Sequence, residues 1–313
     1  YDLMDPKVQQ CPYAFYASAR AQAPLYRMPD RGFWLVTSFD LCREVMRQPD
    51  LYASGVSPMA LKPGGVSEGV IAEYAKGWLP LASCSTSDPP RHTRVRDFLE
   101  PLFTNKRMRE IRPLIDWTAA QLLDTLEGRT EFDFVHEFSH PLPMVVIAEL
   151  IGVPQVDLAR FKAWSDAIVE PFSMMVSPER EVECARLVVE MQHYFAERLE
   201  ARRNNPQGDF LSDLVNSEVD DGEGGKRTLH MSEMLSIIAQ LLVAGNETTT
   251  NTIAEGMLYF GQDMSVWDKV RADRSLIGPA VEEMLRLASP SGGMFRVVTK
   301  DGVEIDGCPV DKG

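Results

Sequence analysis

No stretch of the 313 residues reaches the roughly 18 uninterrupted apolar positions that a membrane-spanning helix requires. The opening residues Tyr1 to Gln10 are polar and lack the apolar centre of a secretion signal. A cytoplasmic chain is the resulting expectation. Cysteine is scarce: Cys11, Cys42, Cys84, Cys184 and Cys308 are widely spaced, odd in number and never in a CxxC pair. That spacing argues against a zinc site and against a thioredoxin-type redox motif. Positive charge is short too, with 32 Lys and Arg against 46 Asp and Glu and a net charge of −14. A nucleic-acid binder needs the opposite balance. There is no internal repeat and no low-complexity tract.

The deficit of positive charge is uneven. Arg91, Arg94, Arg96, Lys106, Arg107, Arg109 and Arg112 are opposed only by Asp97, Glu100 and Glu110. Such a local excess either steers an acidic partner or forms an ordinary solvated helix face.

Helical periodicity dominates, with a little strand at each end. Leu25–Met28 and Phe33–Val36 flank Pro29-Asp30-Arg31-Gly32 and predict a hairpin. Ser38 caps a short helix that stops before Pro49. Residues 53–87, rich in Ser, Gly and Pro, predict a long loop with about one helical turn, and so long a loop is usually functional. A run of helices follows from Pro89 to Arg203, then an acidic connection over Asn216–Arg227. The longest helix spans about Ser232 to Gln262, a shorter one Pro279 to Ala288, and Phe295–Val310 carries turn signals between β-branched residues.

The longest helix breaks several local rules in its middle. Met234, Leu235, Ile237, Ile238, Leu241, Leu242 and Val243 cover nearly its whole circumference, which predicts burial on all sides. Ala244-Gly245-Asn246-Glu247-Thr248-Thr249-Thr250 then sets poor helix formers and a carboxylate into that core. Violations gathered at one point tend to mark function. Small side chains at Ala244 and Gly245 would let a flat ligand approach the backbone, and a Thr248 hydroxyl beside the Glu247 acid would make a short proton path. A packing glycine with a solvated glutamate is the bland alternative. Two further constellations accompany it. Asp88-Pro89-Pro90 opens a helix that puts His92 and Arg96 four apart on one face, donors suited to a pair of carboxylates. Glu283-Met284-Leu285-Arg286 sets a carboxylate and a guanidinium three apart.

Taken in order, these motifs resemble the cytochrome P450 superfamily, its soluble bacterial branch above all. Ala244-Gly245-Asn246-Glu247-Thr248 is similar to that family's oxygen-binding helix, Glu283–Arg286 to its ExxR pair, and His92 with Arg96 to its haem-propionate contacts. Arg296 stands where the family commonly has another propionate-binding arginine. The resemblance implies a mainly α, single-domain cytochrome P450 fold with a small β region over residues 1–313, and haem b (iron protoporphyrin IX) as cofactor. It implies a monooxygenase that inserts one atom of O2 into a small apolar organic substrate. Glu247 and Thr248 would deliver protons to the dioxygen, Ala244 and Gly245 would lie against the haem, and Glu283 and Arg286 would form a buried structural network. Electrons would come from a ferredoxin-type donor docking near Arg91–Arg112.

The resemblance also implies a cysteine ligand in a Phe-Gly-x-Gly loop well downstream of ExxR. Cys308 sits in an Asp-Gly-Cys-Pro turn, where the family has a β-hairpin, so no metal ligand is assigned within the chain and the ligand is expected beyond Gly313. A haem-free helical protein that only binds hydrophobic molecules is the alternative.

Helical spacing puts Gln240, Ala244 and Thr248 on one stripe, so Gln240 is expected to face the substrate or to bond a neighbouring element. By the same resemblance Gly292, Gly293 and Met294 would pass beside the pocket, while Met174 and Met175 would roof it or merely fill core.

Overall fold

In chain order the helices and strands begin with α1 (Pro6–Gln10), α2 (Tyr13–Gln22), β1 (Leu25–Arg27), β2 (Trp34–Val36), α3 (Phe39–Met46), β3 (Tyr52–Ala53) and α4 (Glu68–Tyr74). Then come α5 (Arg91–Leu99), α6 (Asn105–Leu126), α7 (Pro141–Ile151), α8 (Leu158–Val169), α9 (Pro178–Asn204) and α10 (Phe210–Asn216). They are followed by β4 (Glu218–Asp220), β5 (Lys226–Thr228), α11 (Met231–Gln262), α12 (Met264–Ala272) and α13 (Ile277–Ala288). Three short strands close the order: β6 (Val297–Val298), β7 (Val303–Ile305) and β8 (Cys308–Val310). This computed structural model describes residues 5–23, 25–28, 32–55, 65–173, 175–220 and 225–313. The predicted turn at Pro29 to Arg31, part of the 53–87 loop and part of the acidic connection lie outside the described residues.

Backbone contacts divide the chain into two units. The first gathers residues up to Val56, Thr86–Asp88 and Phe295–Gly313. Its strands pair antiparallel, Leu25 opposite Val36, Tyr52 opposite Val298 and Val303 opposite Val310. The Ser38 hydroxyl accepts from the Leu41 N–H and starts α3 as predicted. A small core of Leu25, Val45, Tyr52, Val303, Ile305 and Val310 is buried between these pieces.

The second unit, Ser57–Ser85 with Pro89–Met294, holds the large core. Phe161, Trp164, Phe195, Leu199, Ile238 and Leu242 are all fully buried there, on α8, α9 and α11. The expected loop over 53–87 contains a true helix, α4, capped by Ser67 and packed against α9. Behind it Gln192 of α9 accepts from the Trp78 N–H (2.9 Å) and donates to the Trp78 carbonyl (2.7 Å). One buried side chain thereby satisfies both backbone groups of an irregular segment. Helix α13 begins at Ile277 rather than at Pro279, because a helical turn over Arg274–Leu276 leads straight into it.

Candidate active site

Helix α11 is the axis of the site. Met234, Leu235, Ile237, Ile238 and Leu242 are buried as the apolar pattern predicts, whereas Leu241 and Val243 of the same run are only half-buried. One strip escapes: Gln240 and Thr248 are half-buried, and Ala244 and Asn251 are exposed. Spacing of three and four residues sets these on one side of the helix. The Thr248 hydroxyl donates to the Ala244 carbonyl (2.9 Å), and the Thr252 hydroxyl to the Thr248 carbonyl (2.8 Å). Such back-bonding loosens the helical ladder where it occurs.

Gly245 corrects the expectation attached to it. A Cβ there would lie 3.0 Å from Ile147 Cδ1 and 3.2 Å from its Cγ1. The missing side chain admits α7 rather than a flat ligand, and of the two small residues Ala244 alone stands on the open strip.

Glu247 and Thr248 are neighbours in sequence but point apart, since successive helical residues are separated by roughly 100°. Thr248 lies on the open strip. Glu247 lies in the field of α8, where Lys162 donates to Asp166 (2.7 Å). Burial, and then the Asp166 charge, push the Glu247 carboxyl above the ordinary carboxylate range, with Lys162 opposing. His140, at the entrance to α7, feels the same pair; burial first and then Lys162 hold its imidazole below the usual histidine value. Its Nε2 is buried without a hydrogen-bond partner among the described residues. Next to Glu247, Asn246 is fully buried and donates to the equally buried Ser165 of α8 (3.3 Å). This polar seam joining α7, α8 and α11 was missed in the sequence, although the Lys162–Asp166 spacing of four was there to be read.

On α5, His92 is half-buried with no hydrogen-bond partner among the described residues. Arg96 reaches Glu100 (3.1 Å) with half of its side chain exposed. The two side chains share the predicted face and bind no buried carboxylate among the described residues. Glu283 and Arg286 do pair, through two bonds of 2.7 Å, but their side chains are 55% and 66% exposed. The expected buried network is therefore an exposed one-to-one pair. The packed side of α13 is elsewhere: a Cβ at Gly256 of α11 would strike Met284 Sδ at 2.6 Å.

Gln240 accepts from the Ser85 hydroxyl (2.8 Å), so its carboxamide is held by a neighbouring segment, with its N–H groups unspent among the described residues. Gly292, Gly293 and Met294 are exposed, and open space surrounds both glycines. Arg296 belongs to the first unit, half-buried, and donates to the adjacent Phe295 carbonyl (2.8 Å). Met175 is exposed, and Met174 lies outside the described residues.

The profile of the cytochrome P450 family matches residues 80–313, which span every motif named above except the N-terminal hairpin and cap. The chain belongs to the cytochrome P450 family. It is 33% identical to the putative cytochrome P450 YjiB of Bacillus subtilis over 96% of this chain and 71% of that protein. With the cytochrome P450 monooxygenase PikC of Streptomyces venezuelae the identity is 31%, over 96% of this chain and 68% of the relative. Among solved structures, CYP109Q5 from Chondromyces apiculatus superposes with a TM-score of 0.82 at 32% identity, covering 100% of this chain and 74% of that one. P450BioI in complex with an acyl carrier protein ligated to hexadec-9Z-enoic acid gives 0.83 at 26% identity, over 98% and 76%. As a P450, the protein is a haem-dependent oxidoreductase of the monooxygenase type, which uses O2, an organic substrate and a redox partner. Among the described residues, no helix is long and apolar enough to cross a membrane.

The residues present fit one face of a haem. The P450 helix α11 keeps Ala244 uncovered, so nothing larger than a methyl group stands on the open strip at that turn. The α5 face offers His92 and Arg96 as donors for two carboxylates. Neither Cys184 nor Cys308 fits the thiolate. Cys184 is buried and its thiol is pushed up to about 11, mainly by burial. Cys308 is exposed on β8 opposite Ile305, in the hairpin expected for it.

Proposed function

We propose that this P450 inserts one oxygen atom from O2 into a C–H bond of a small apolar substrate that carries an oxygen function. We assign it haem b, electrons from a ferredoxin-type donor, and a cytoplasmic setting. The observation that supports the reading is the strip of α11 on which a carboxamide (Gln240), a methyl group (Ala244) and a hydroxyl (Thr248) stand in line, half-buried or exposed, beside the buried Ile238, Leu242 and Asn246. When bound, the haem supplies the reductive activation of dioxygen and the oxidising power.

The protein's own residues do the rest. His92 and Arg96 are assigned the propionates. Ala244 would leave room for the ring beside α11, and Thr248 would present a hydroxyl toward the same open strip. Glu247, protonated more readily than an ordinary carboxylate, would take up a proton beside Lys162 and Asp166 and pass it on. Turning from α8 toward the strip would bring that proton to Thr248 Oγ1, whose present bond to the Ala244 carbonyl is exchanged in the process.

Gln240 sets substrate choice. Its carbonyl is occupied by Ser85, which leaves the amide N–H groups to donate to a substrate oxygen in an otherwise aliphatic wall. Calorimetric affinities for a matched ketone and hydrocarbon test this. The parent protein should favour the ketone, and Gln240→Leu should erase or reverse the preference, at a loss of about 1–2 kcal/mol for the ketone. An unchanged preference would remove Gln240 from the pocket.

The donor surface is less positive than the sequence suggests. Arg96, Lys106, Arg107 and Arg112 are paired with Glu100, Glu110, Asp213 and Asp116. Arg91, Arg94 and Arg109 have no such ion pair among the described residues; Arg91 and Arg94 are half-buried, so docking of an acidic ferredoxin on this region rests chiefly on the exposed Arg109.

A further inference from the structure

Helix α5 carries two polar faces. His92 and Arg96 occupy one. Arg91, Arg94, Val95 and Phe98 are gathered on another by spacings of three, four and seven residues, and lie roughly a third of a turn away. This second face lines a cavity of about 270 Å3, closed by Leu81 to Ser83, by Val219 and Arg227 of the β4–β5 hairpin, and by the first turns of α11.

Among the described residues the charges in that cavity do not cancel. Glu233 is the carboxylate in the lining, and it is consumed: Arg227 grips it through bonds of 2.7 and 2.8 Å, and the His230 N–H adds a third of 2.8 Å. Arg94 gives one N–H to the Asp220 carbonyl (3.3 Å), which is a neutral partner. Arg91 has no hydrogen-bond or ion-pair partner among the described residues. Two guanidinium groups, both on half-buried residues, thus remain in excess beside Val95, Phe98, Leu229 and Ile237. Charge held against an apolar wall is costly unless an opposite charge completes it. Guanidinium forks match a carboxylate two bonds at a time, and the apolar remainder suits a body that excludes water.

We propose that this cavity is a binding site for a small amphipathic anion, an aromatic or short-chain carboxylate, gripped by Arg91 and Arg94 and covered by Val95 and Phe98. It is separate from the haem cradle, because it uses the other face of α5. An inorganic anion would satisfy the guanidiniums but leave the apolar wall unmatched, and a neutral molecule would do the reverse.

Calorimetry on the full chain tests this, with benzoate as probe, benzyl alcohol as its neutral counterpart and sulfate as the inorganic anion. Benzoate is expected to saturate one site and to bind at least tenfold more tightly than either of the others. The double variant Arg91→Gln/Arg94→Gln should weaken benzoate at least tenfold, whereas Arg203→Gln, at the far end of α9, should leave it unchanged. The comparison of the three probes on the unaltered protein does not depend on any variant folding. Equal binding of benzoate and benzyl alcohol, sulfate as tight as benzoate, or benzoate affinity unmoved by the double variant would each overturn the proposal.

Discussion

Glu247→Gln is expected to lower turnover about a hundredfold, leave substrate affinity within about twofold, and raise thermal stability at neutral pH. The first two effects follow from its assigned role. A carboxamide fills the same space beside Lys162 and Asp166 but cannot release a proton. The third follows from burial. Burial and Asp166 raise the folded-state pKa of Glu247 above an unfolded value of about 4.3. The folded chain therefore holds this proton more tightly than the unfolded chain does. Its contribution to stability is full below the unfolded pKa and is lost as pH rises through the folded one. Glutamine has no proton to lose. The Tm of the variant should match the parent in acid and exceed it increasingly as pH rises toward neutrality. Stability gained as activity falls is the usual sign of a residue held for function. Unchanged turnover would remove Glu247 from proton delivery, and a Tm difference flat with pH would remove the titration.

Trp164→Ala should destabilise the second unit by about 3–5 kcal/mol. The indole is 0% exposed and packs on Tyr194 and Phe195 at centroid separations of 4.9 and 6.2 Å, with the Arg160 guanidinium 5.1 Å from the ring centroid. Alanine would leave a cavity that the helices α8 and α9 cannot close without moving. Trp164→Phe keeps most of the ring contacts and should recover over half of the loss. Chemical denaturation monitored by helical circular dichroism measures both. The effect reaches the site, because Lys162, Ser165 and Asp166 stand on the same helix. The alanine variant should therefore also reduce the pH dependence attributed to Glu247. A loss below about 1 kcal/mol would show that α8 packs by other contacts.

The long helix was legible because its apolar residues leave no polar face, a pattern that only a buried helix satisfies. The hairpin strands and the Ser38 cap were legible because they depend on neighbours in sequence. What sequence could not reveal is what lies across from a residue. The smallness of Gly245 is equally suited to a ligand or to another helix, and only the position of Ile147 decides between them. Glu247 and Thr248 are adjacent in sequence but face different surroundings, a distinction set by α8. The ExxR pair needs only a spacing of three to form, but its burial depends on what covers α13, which spacing does not encode. The Asn246–Ser165 contact joins residues 81 positions apart, and Asn246 carried no local signal beyond an amide in an apolar run.

The central claim is that α11 and α5 form a haem cradle, and absorption spectroscopy tests it most directly. The protein supplied with haem should show a Soret band that shifts on reduction under carbon monoxide, and the band should weaken in the double variant His92→Leu/Arg96→Leu. A folded, colourless protein that still binds apolar ligands would contradict the account.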